Sequence, residues 1–230
     1  MSASAQAAEP VGRRLVAADA VPPWLRPLVE RIDGGTFPAG YRQAGLGRPA
    51  GARRGAVLML LADGSPSPDL LLTARAATLR SHAGQPAFPG GGVEPGEDAV
   101  AAALREGEEE TGLDPSSINP LAVLPPLYLP PSDYLVEPVL AHWHTPGPVR
   151  VVDIAETAAV VRVPVADLAD PANRGTVRSP RGGYRGPAFT VAGLVIWGFT
   201  GGLVDLLLTW AGWSRPWDPN RDIPLAPWPA

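Results

Sequence analysis

Short apolar runs separated by turn-forming residues dominate the first half of the chain. Residues 56–63 (AVLMLLAD) form a continuous apolar run that is typical of a buried strand, and residues 70–75 (LLLTAR) form another. The segment between them, GSPSPD, is rich in Gly, Pro and Ser, which favour a turn. The pattern therefore predicts a β-hairpin.

The second half of the chain alternates apolar stretches with proline-rich turns. Residues 118–129 and 133–143 predict strands, and their prolines favour sheet edges or bulges. Residues 151–170 predict an acidic turn, a strand and a short helix. We expect a polar surface loop over residues 171–187, followed by a strand-like stretch over residues 188–199.

Three segments have the composition of helices. Residues 24–32, opened by two prolines, predict a short helix. Residues 98–110 (DAVAAALREGEEE) are good helix formers, and a Thr-Gly pair closes them. Residues 200–212 predict a helix that docks on the sheet. The docking face of this last helix consists of Leu203, Leu206, Leu207 and Trp210. Strands interleaved with two principal helices predict an α/β/α sandwich with a mixed β-sheet.

The composition suits one domain with extensions. The chain has 230 residues, of which 45% are hydrophobic, so it can bury a sizeable core. We expect an N-terminal extension over residues 1–52, which begins with a mobile arm through residue 20 and continues with the short helix and a loop packed beside the core. The core domain is expected over residues 53–212, and an irregular Trp- and Pro-rich tail over residues 213–230.

Charge and cysteine content exclude several functional classes. The 19 basic and 23 acidic residues nearly balance, which does not imply a broad nucleic-acid or anionic-membrane surface. The absence of Cys excludes disulfides, thiolate zinc sites and thiol catalysis. The N-terminus lacks the features of a secretory signal, and no stretch reaches the roughly 18 apolar residues of a membrane span. We therefore expect a soluble cytoplasmic protein.

The helix predicted over residues 98–110 gathers acidic side chains on one face. Glu106, Glu109 and Glu110 have i, i+3 and i+4 spacing, so their like charges crowd together. Hard oxygen ligands in this number suit Mg²⁺ or Mn²⁺, which would remove the repulsion and bind phosphate oxygens. The alternative for a Glu-rich helix is an ordinary solvated face.

The residues around this helix resemble the Nudix box of nucleoside-diphosphate-linked hydrolases. The matching positions are Gly91, Glu97, Arg105, Glu106, Glu109, Glu110, Gly112 and Leu113. The resemblance implies the Nudix fold and metal-dependent hydrolysis of a small-molecule substrate. Gly107 departs from the pattern, which has an aliphatic residue there. Glycine within a helix costs roughly 1 kcal/mol relative to alanine, so we expect a slightly weaker or less tightly packed helix.

The segment before the box resembles the extended signature of the coenzyme A pyrophosphatase subfamily. The matching positions are Leu71, Leu72, Thr73, Arg75, Leu79, Arg80, His82, Gly84, Gln85, Phe88, Pro89, Gly90 and Gly91. This resemblance implies cleavage of coenzyme A, or of its thioesters, to adenosine 3′,5′-bisphosphate and 4′-phosphopantetheine. Two alternatives stay open, which are hydrolysis of ADP-ribose or a dinucleotide and non-catalytic nucleotide sensing.

Four residues of this segment are candidates for binding the substrate, namely Arg75, Arg80, His82 and Gln85. The planar guanidinium groups of the two arginines suit phosphate oxygens. The alternative for each arginine is a salt bridge to a helix carboxylate. For His82 the choice between a phosphate contact and a loop-capping role stays open.

The resemblance also implies the metal ligands and the catalytic groups. The ligands expected for one or more Mg²⁺ or Mn²⁺ ions are Glu106, Glu109, Glu110, Glu97 and the carbonyl of Gly90 or Gly91. Arg105 is expected to orient these carboxylates. The group that takes a proton from the attacking water is either a box glutamate or an acidic residue of a distant loop. Glu156 is the candidate for the second option, and Asp153 lies near it in the sequence.

Two further features have ordinary structural explanations. His142 and His144 share one face of a predicted strand, but without a third ligand nearby a packing role is favoured over a metal site. Tryptophans near the C-terminus are expected to pack on the core. The alternatives are that they bind an acyl chain or a second subunit, which would make a homodimer. These tryptophans are Trp210, Trp213, Trp217 and Trp228.

Overall fold

The computed structural model describes residues 12–35, 37, 51–64, 66–76, 84–130, 132–178 and 184–225. Within these ranges the helices are α1 (Arg26–Asp33), α2 (Ala99–Thr111), α3 (Val165–Ala169) and α4 (Gly198–Trp210). The strands of the larger sheet are β1 (Arg13–Arg14), β2 (Arg53–Ala62), β3 (Asp69–Arg75), β4 (Pro86–Ala87), β5 (Gly90–Gly92), β6 (Ile118–Val123), β7 (Leu127–Leu129), β8 (Tyr134–Trp143) and β9 (Thr157–Pro164). The strands of the smaller sheet are β10 (Arg174–Arg178), β11 (Arg185–Val191) and β12 (Leu194–Ile196).

The larger sheet is mixed. β2 and β8 pair in parallel over the full length of both strands, whereas the other neighbours pair antiparallel. The main path has the order β1-β6-β8-β2-β3-β4, and β5, β7 and β9 pair with β2, β8 and β3 respectively. The predicted hairpin is confirmed, because β2 and β3 pair at Leu61↔Leu70 and Ala62↔Asp69.

Side chains of β2 alternate between the two faces of the sheet. Leu58 and Leu60 join the buried cluster that contains three alanines of α2. Met59 and Leu61 instead join the core that contains side chains of α1 and α4. Because alternate residues of a strand point to opposite faces, α2 covers one face while α1 and α4 cover the other. The predicted α/β/α sandwich with a mixed sheet is confirmed.

The N-terminal segment contributes to the core. Leu25, Leu28 and Ile32 are almost fully buried in the same cluster as the apolar face of α4. The expectation of a mobile arm through residue 20 is wrong for its described part, since Arg13–Arg14 pairs with β6. The sequence pattern missed this strand because a two-residue edge strand is too short for a periodic signal.

The polar loop expected over residues 171–187 is wrong. This stretch contains β10 and the start of β11, which pair antiparallel. Arg174 of β10 is 2% exposed, forms an ion pair with Asp205 of α4, and lies 4.4 Å from the ring centre of Trp217. A buried arginine gives no apolar signal in a sequence, so the sequence pattern predicted a surface loop here.

The remaining predicted elements are present with small differences. The strand-like stretch over residues 188–199 divides into the end of β11 and β12, separated by a turn at Ala192 and Gly193. β6 carries an irregularity in register after Pro120, as the proline-rich pattern predicted. The docking helix is confirmed as α4. No helix in the described ranges is long and apolar enough to cross a membrane.

Candidate active site

Helix α2 begins and ends close to where the sequence predicts. The Asp98 carboxylate accepts hydrogen bonds from two backbone N–H groups of the first turn at 3.0 and 2.9 Å, so these donors are satisfied. Gly112 ends the helix with a left-handed φ of 69°, which favours glycine. Strand β5 pairs with β2 and places Gly91 directly beside Glu106. The glycine-rich loop and the helix thus form one acidic surface.

Arg105 binds three carboxylates of this surface at once. Its Nε donates a hydrogen bond to Glu97 Oε1 at 2.9 Å, and its Nη2 donates to the Gly92 carbonyl at 2.9 Å. Its Nη1 donates to Glu106 Oε1 and Glu109 Oε2, both at 3.0 Å. Hydrogen bonding with Arg105 lowers the pKa of Glu97, and the same contact raises the pKa of Arg105. One guanidinium therefore joins the loop to the helix.

Two carboxylates of α2 lie in surroundings that disfavour their charge. Burial raises the pKa of Glu110 to about 8, and the negative charges of Glu106 and Glu156 add to the effect. The nearby Arg75 cation acts in the opposite direction but is outweighed. Burial also raises the pKa of Glu106, although Arg105 opposes it. Additional positive charge at this position would stabilise both carboxylates in their ionised form.

The donor set fits a hard divalent cation. Carboxylate oxygens are the ligands that Mg²⁺ and Mn²⁺ prefer, and a bound cation would offset the burial that raises the pKa values of Glu106 and Glu110. A Cβ atom at position 91 would lie 2.5 Å from Glu106 Cδ, so glycine is required for this carboxylate to lie here. As they stand, no three acidic or histidine side chains of the described residues converge closely enough to hold an ion. In this arrangement Glu106 and Glu109 both accept hydrogen bonds from Arg105 Nη1.

Arg75 and Glu156 lie beside the buried end of the acidic surface. The Arg75 N–H donates to the Gln85 carbonyl at 3.1 Å, and the Ala76 N–H donates to the Glu156 carbonyl at 2.8 Å. Arg75 Nε is buried and has no hydrogen-bond partner among the described residues. The charges of Arg75 and Glu156 both act on Glu110. The fold thus brings residues from β3, from the loop before β9 and from α2 to one place.

The structure locates only part of the expected substrate-binding set. Arg75 lies beside the acidic surface. Its backbone N–H donates a hydrogen bond to the Gln85 carbonyl, which places Gln85 next to Arg75. Arg80 and His82 lie outside the described residues. Their roles therefore depend on the sequence resemblance alone.

The histidines at the end of β8 are packing and surface residues, as expected. His142 is buried, and its Nε2 lies 3.2 Å from Asp63 Oδ2. His144 is exposed beyond the end of the strand. Trp213, one of the C-terminal tryptophans, stacks on Trp24 with ring centres 5.9 Å apart. These contacts confirm the packing interpretation for His142 and Trp213.

Gly107 permits close packing of α2 on the sheet. It is buried, and a Cβ atom at this position would lie 2.9 Å from Leu58 Cδ2 and 3.4 Å from Leu113 Cδ1. The expectation of a less tightly packed helix is therefore wrong. The leucines of β2 and of the segment after α2 occupy the space that an aliphatic side chain at position 107 would fill.

Sequence reasoning missed how residues 150–156, here called the rim loop, contact α2. The Arg150 N–H donates to the Thr111 carbonyl at 2.9 Å, which ties the loop to the end of the helix. Within the loop, the Asp153 carboxylate accepts a hydrogen bond from the Ala155 N–H at 2.8 Å. An aspartate that opens a turn is a recognisable local signal. The contact with the helix is long-range, so the sequence carries no direct sign of it.

Comparison with a family model identifies the group of proteins to which this chain belongs. The NUDIX domain model matches residues 51–179, which is more than half of the chain. This chain belongs to the Nudix family. The match includes β2 to β9, α2 and the rim loop. Nudix hydrolases generally use divalent metal ions, which agrees with the carboxylate set on α2.

Curated relatives of this Nudix protein align with part of the chain. The protein named "Uncharacterized Nudix hydrolase NudL" from Escherichia coli (strain K12) is 45% identical over 102 residues, which cover 44% of this chain and 52% of the relative. Its namesake from Cronobacter sakazakii is 44% identical over 103 residues, which cover 44% of this chain and 53% of the relative. The chain thus spans about half the length of the curated relatives it matches.

Solved Nudix structures align with about half of the chain. The MutT NUDIX hydrolase from Burkholderia pseudomallei is 27% identical with a TM-score of 0.40, covering 52% of this chain and 88% of that one. The Ap4A hydrolase of C. elegans in a binary complex is 21% identical with a TM-score of 0.42, covering 50% of this chain and 82% of that one.

Proposed function

We propose that this protein is a metal-dependent Nudix hydrolase that cleaves the diphosphate bond of coenzyme A or an acyl-coenzyme A. The products would be adenosine 3′,5′-bisphosphate and 4′-phosphopantetheine or its acyl derivative. The observation that carries the proposal is that Arg105 organises three carboxylates beside the buried Glu110. The choice of coenzyme A is supported by the resemblance of residues 71–91 to the coenzyme A pyrophosphatase signature.

The metal ligands that we propose for Mg²⁺ or Mn²⁺ are Glu106, Glu109, Glu110, Glu97 and the Gly91 carbonyl. A bound ion would neutralise charge on the diphosphate and lower the pKa of a bound water. Arg105 donates hydrogen bonds to Glu97 and to the Gly92 carbonyl as well as to Glu106 and Glu109. The guanidinium therefore acts as a positioning group that holds the loop against the helix.

Among the proposed substrate contacts, Arg75 has the strongest support from the described residues. Its Nε is buried without a hydrogen-bond partner among those residues, and leaving such a donor unpaired costs about 1–3 kcal/mol. A phosphate oxygen of the substrate would accept this hydrogen bond and gain a charge-assisted contact. Gln85 adjoins Arg75 through the backbone. Arg80 and His82 are proposed as further contacts on the strength of the family resemblance.

We propose Glu156 as the group that accepts the proton from the attacking water. Its side chain is exposed, and its charge acts on both Glu106 and Glu110. The water oxygen forms a bond to one phosphorus, the water proton passes to the Glu156 carboxylate, and the bond from that phosphorus to the bridging oxygen breaks. Asp153 is less suited, because its carboxylate already accepts the Ala155 N–H.

Product analysis by mass spectrometry tests this proposal. The purified protein is incubated with Mg²⁺ or Mn²⁺ and coenzyme A, with ADP-ribose and NADH in parallel. Glu109→Gln should abolish turnover because it removes a ligand charge. Glu108→Gln, at the exposed neighbouring position, is the matched control.

Each result of this experiment has one interpretation. Release of phosphopantetheine that Glu109→Gln abolishes and Glu108→Gln retains would support the proposal. Turnover of ADP-ribose or NADH, without turnover of coenzyme A, would show that coenzyme A is not the substrate. No turnover of any of the three compounds with metal present would favour a nucleotide-sensing role.

A further inference from the structure

Arg53 and Tyr134 form a stacked pair where β2 and β8 begin. The two strands pair in parallel, with Arg53 opposite Tyr134. The guanidinium carbon of Arg53 lies 4.2 Å from the centre of the Tyr134 ring, and its Nη2 donates a hydrogen bond to the Ser132 carbonyl at 2.8 Å. The stack and this hydrogen bond restrict the orientation of the guanidinium, although the arginine is exposed.

Glycines bring this pair close to the proposed metal site. A Cβ atom at position 55 would lie 3.0 Å from Tyr134 Cδ1 and 3.0 Å from the Gly91 carbonyl oxygen, so the ring packs where only glycine fits. A Cβ atom at position 92 would lie 3.7 Å from the Tyr134 hydroxyl oxygen. The Gly92 carbonyl accepts the hydrogen bond from Arg105 at 2.9 Å. Gly92 therefore lies between Tyr134 and the arginine that holds the carboxylates.

Arg53 and Arg75 lie towards opposite ends of β5. Gly92, at the C-terminal end of this strand, pairs with the residue two positions after Arg53. At the N-terminal end, the backbone of Gly90 hydrogen bonds to Glu110, on which the charge of Arg75 acts. The carboxylates proposed as metal ligands lie along the same strand. A substrate held there by its diphosphate therefore has an arginine towards each end.

The charge of Arg53 is not compensated in the way that its neighbour's charge is. Arg54 points to the other face of β2 and forms an ion pair with Glu137 at 2.9 Å. Within the part of the chain that the structure describes, Arg53 forms no ion pair with a carboxylate, and its one hydrogen-bond acceptor is the Ser132 carbonyl. A guanidinium has five N–H donors in a planar fork, and stacking on a ring leaves the edge of the fork accessible. The remaining donors suit the oxygens of a phosphate group.

We propose that Arg53, held on Tyr134, binds the 3′-phosphate of coenzyme A. This inference rests on the proposed function and names the group by which the same site selects its substrate. The 3′-phosphate is one ribose away from the diphosphate, so an arginine beyond the end of the metal ligands matches its position. The ribose would cross the glycines of β5, because Arg53 lies on the face of the sheet opposite α2. ADP-ribose and NADH carry no phosphate on this ribose, so they would gain nothing from Arg53.

The kinetic test compares coenzyme A with dephospho-coenzyme A, which differ only in the 3′-phosphate. The value of kcat/KM is measured for both substrates in the wild type, Arg53→Gln and Arg54→Gln. Arg53→Gln should lower the ratio of coenzyme A to dephospho-coenzyme A about tenfold, mainly through KM for coenzyme A, because it removes a charge-assisted contact. Arg54→Gln is the matched control, since it removes the same charge from the neighbouring position and should keep the wild-type ratio.

A binding measurement tests the same contact without turnover. Calorimetry with Mg²⁺ present compares adenosine 3′,5′-bisphosphate with adenosine 5′-monophosphate, which lacks the 3′-phosphate. The wild type should bind the bisphosphate about tenfold more tightly, and Arg53→Gln should remove most of this difference. Equal affinities of the wild type for the two nucleotides would overturn the inference.

Three kinetic results would also overturn it. One is a wild type that does not prefer coenzyme A to dephospho-coenzyme A, and another is a ratio that Arg53→Gln leaves unchanged. The third is an equal fall of the ratio in Arg54→Gln, which would indicate a general effect of surface charge. Turnover of coenzyme A together with any of these results overturns the inference and leaves the proposed function in place. If the wild type does not turn over coenzyme A, the proposed function fails and the calorimetric comparison alone decides whether Arg53 binds a 3′-phosphate.

Discussion

Arg105 and Glu97 are separated by eight residues, and the Arg105 Nε donates a hydrogen bond to Glu97 Oε1 at 2.9 Å. This bond joins the loop before α2 to the helix. The same guanidinium contacts Glu106 and Glu109 at 3.0 Å, so three carboxylates depend on one side chain for their positions. The arrangement leads to predictions about activity, pH and packing.

Arg105→Lys should lower kcat about 10- to 100-fold, which is the usual cost of losing a positioning partner. A lysine keeps the charge, but its single ammonium lacks the planar fork that reaches Glu97, Glu106 and the Gly92 carbonyl together. Steady-state kinetics at saturating metal measures the effect. Arg178→Lys, in an exposed ion pair with Asp222, is the control. Wild-type kcat in Arg105→Lys would contradict the positioning role.

The metal-free protein should become less stable as the pH rises from about 5 towards 8. Glu110 has its pKa raised from 4.5 to about 8 in the folded chain, so over this range the folded state binds a proton that the unfolded state has released. A carboxyl group whose pKa is raised by folding therefore stabilises the fold at low pH. That contribution is lost as the pH rises through the group's pKa in the folded state.

Urea unfolding at several pH values, in the presence of a chelator, measures this dependence. In Glu110→Gln the free energy of unfolding should decrease less steeply with rising pH, because an amide does not titrate. Glu108→Gln should keep the wild-type slope, since its carboxylate is exposed. Equal slopes in the wild type and Glu110→Gln would exclude Glu110 as the group responsible.

Gly107→Leu should lower the free energy of unfolding by about 1–3 kcal/mol through overpacking. The reason is the 2.9 Å separation between a Cβ atom at position 107 and Leu58 Cδ2. Gly202→Leu is the matched control, because this exposed glycine of α4 has nothing within 4 Å of a Cβ atom. Combining Gly107→Leu with Leu58→Ala should cost less than the sum of the single changes. Additive costs would show that the two positions do not compete for space.

Asp205→Ala should destabilise the fold by about 3 kcal/mol or more, because it leaves the buried Arg174 guanidinium without its partner. Burial already lowers the pKa of Arg174 and raises the pKa of Asp205. The exposed pair Arg178 and Asp222 gives the comparison, and Asp222→Ala should cost less than about 1 kcal/mol.

Urea unfolding of the two alanine variants compares these costs directly. Replacing Arg174 by Met and Asp205 by Leu together should recover most of the loss, since apolar residues need no charge partner. Equal costs for Asp205→Ala and Asp222→Ala would contradict the buried role of Arg174.

Local signals explain why much of the site can be predicted from the sequence. The helix over Ala99–Thr111 follows from its capping aspartate and terminal glycine, which act on adjacent residues. The shared face of Glu106, Glu109 and Glu110 follows from helical spacing alone. The sandwich follows from apolar runs that alternate with helix-forming segments.

Long-range contacts explain what the sequence could not predict. Strand β10 is held by the buried Arg174, whose partner Asp205 is 31 residues away. The tight fit of Gly107 depends on Leu58, which belongs to another element. The rim loop reaches α2 through a backbone bond from Arg150, and backbone groups are the same in every residue type. Such contacts depend on tertiary structure, which short-range patterns do not encode.

Hydrolysis of coenzyme A in ¹⁸O-labelled water tests the central proposal most directly. With Mg²⁺ or Mn²⁺ present, mass spectrometry should find adenosine 3′,5′-bisphosphate and 4′-phosphopantetheine in equal amounts, with one ¹⁸O atom incorporated per pair of products. The same sample with a chelator should contain intact coenzyme A. Turnover that persists in the chelator, release of inorganic phosphate in place of these products, or unchanged coenzyme A with metal present would contradict the account.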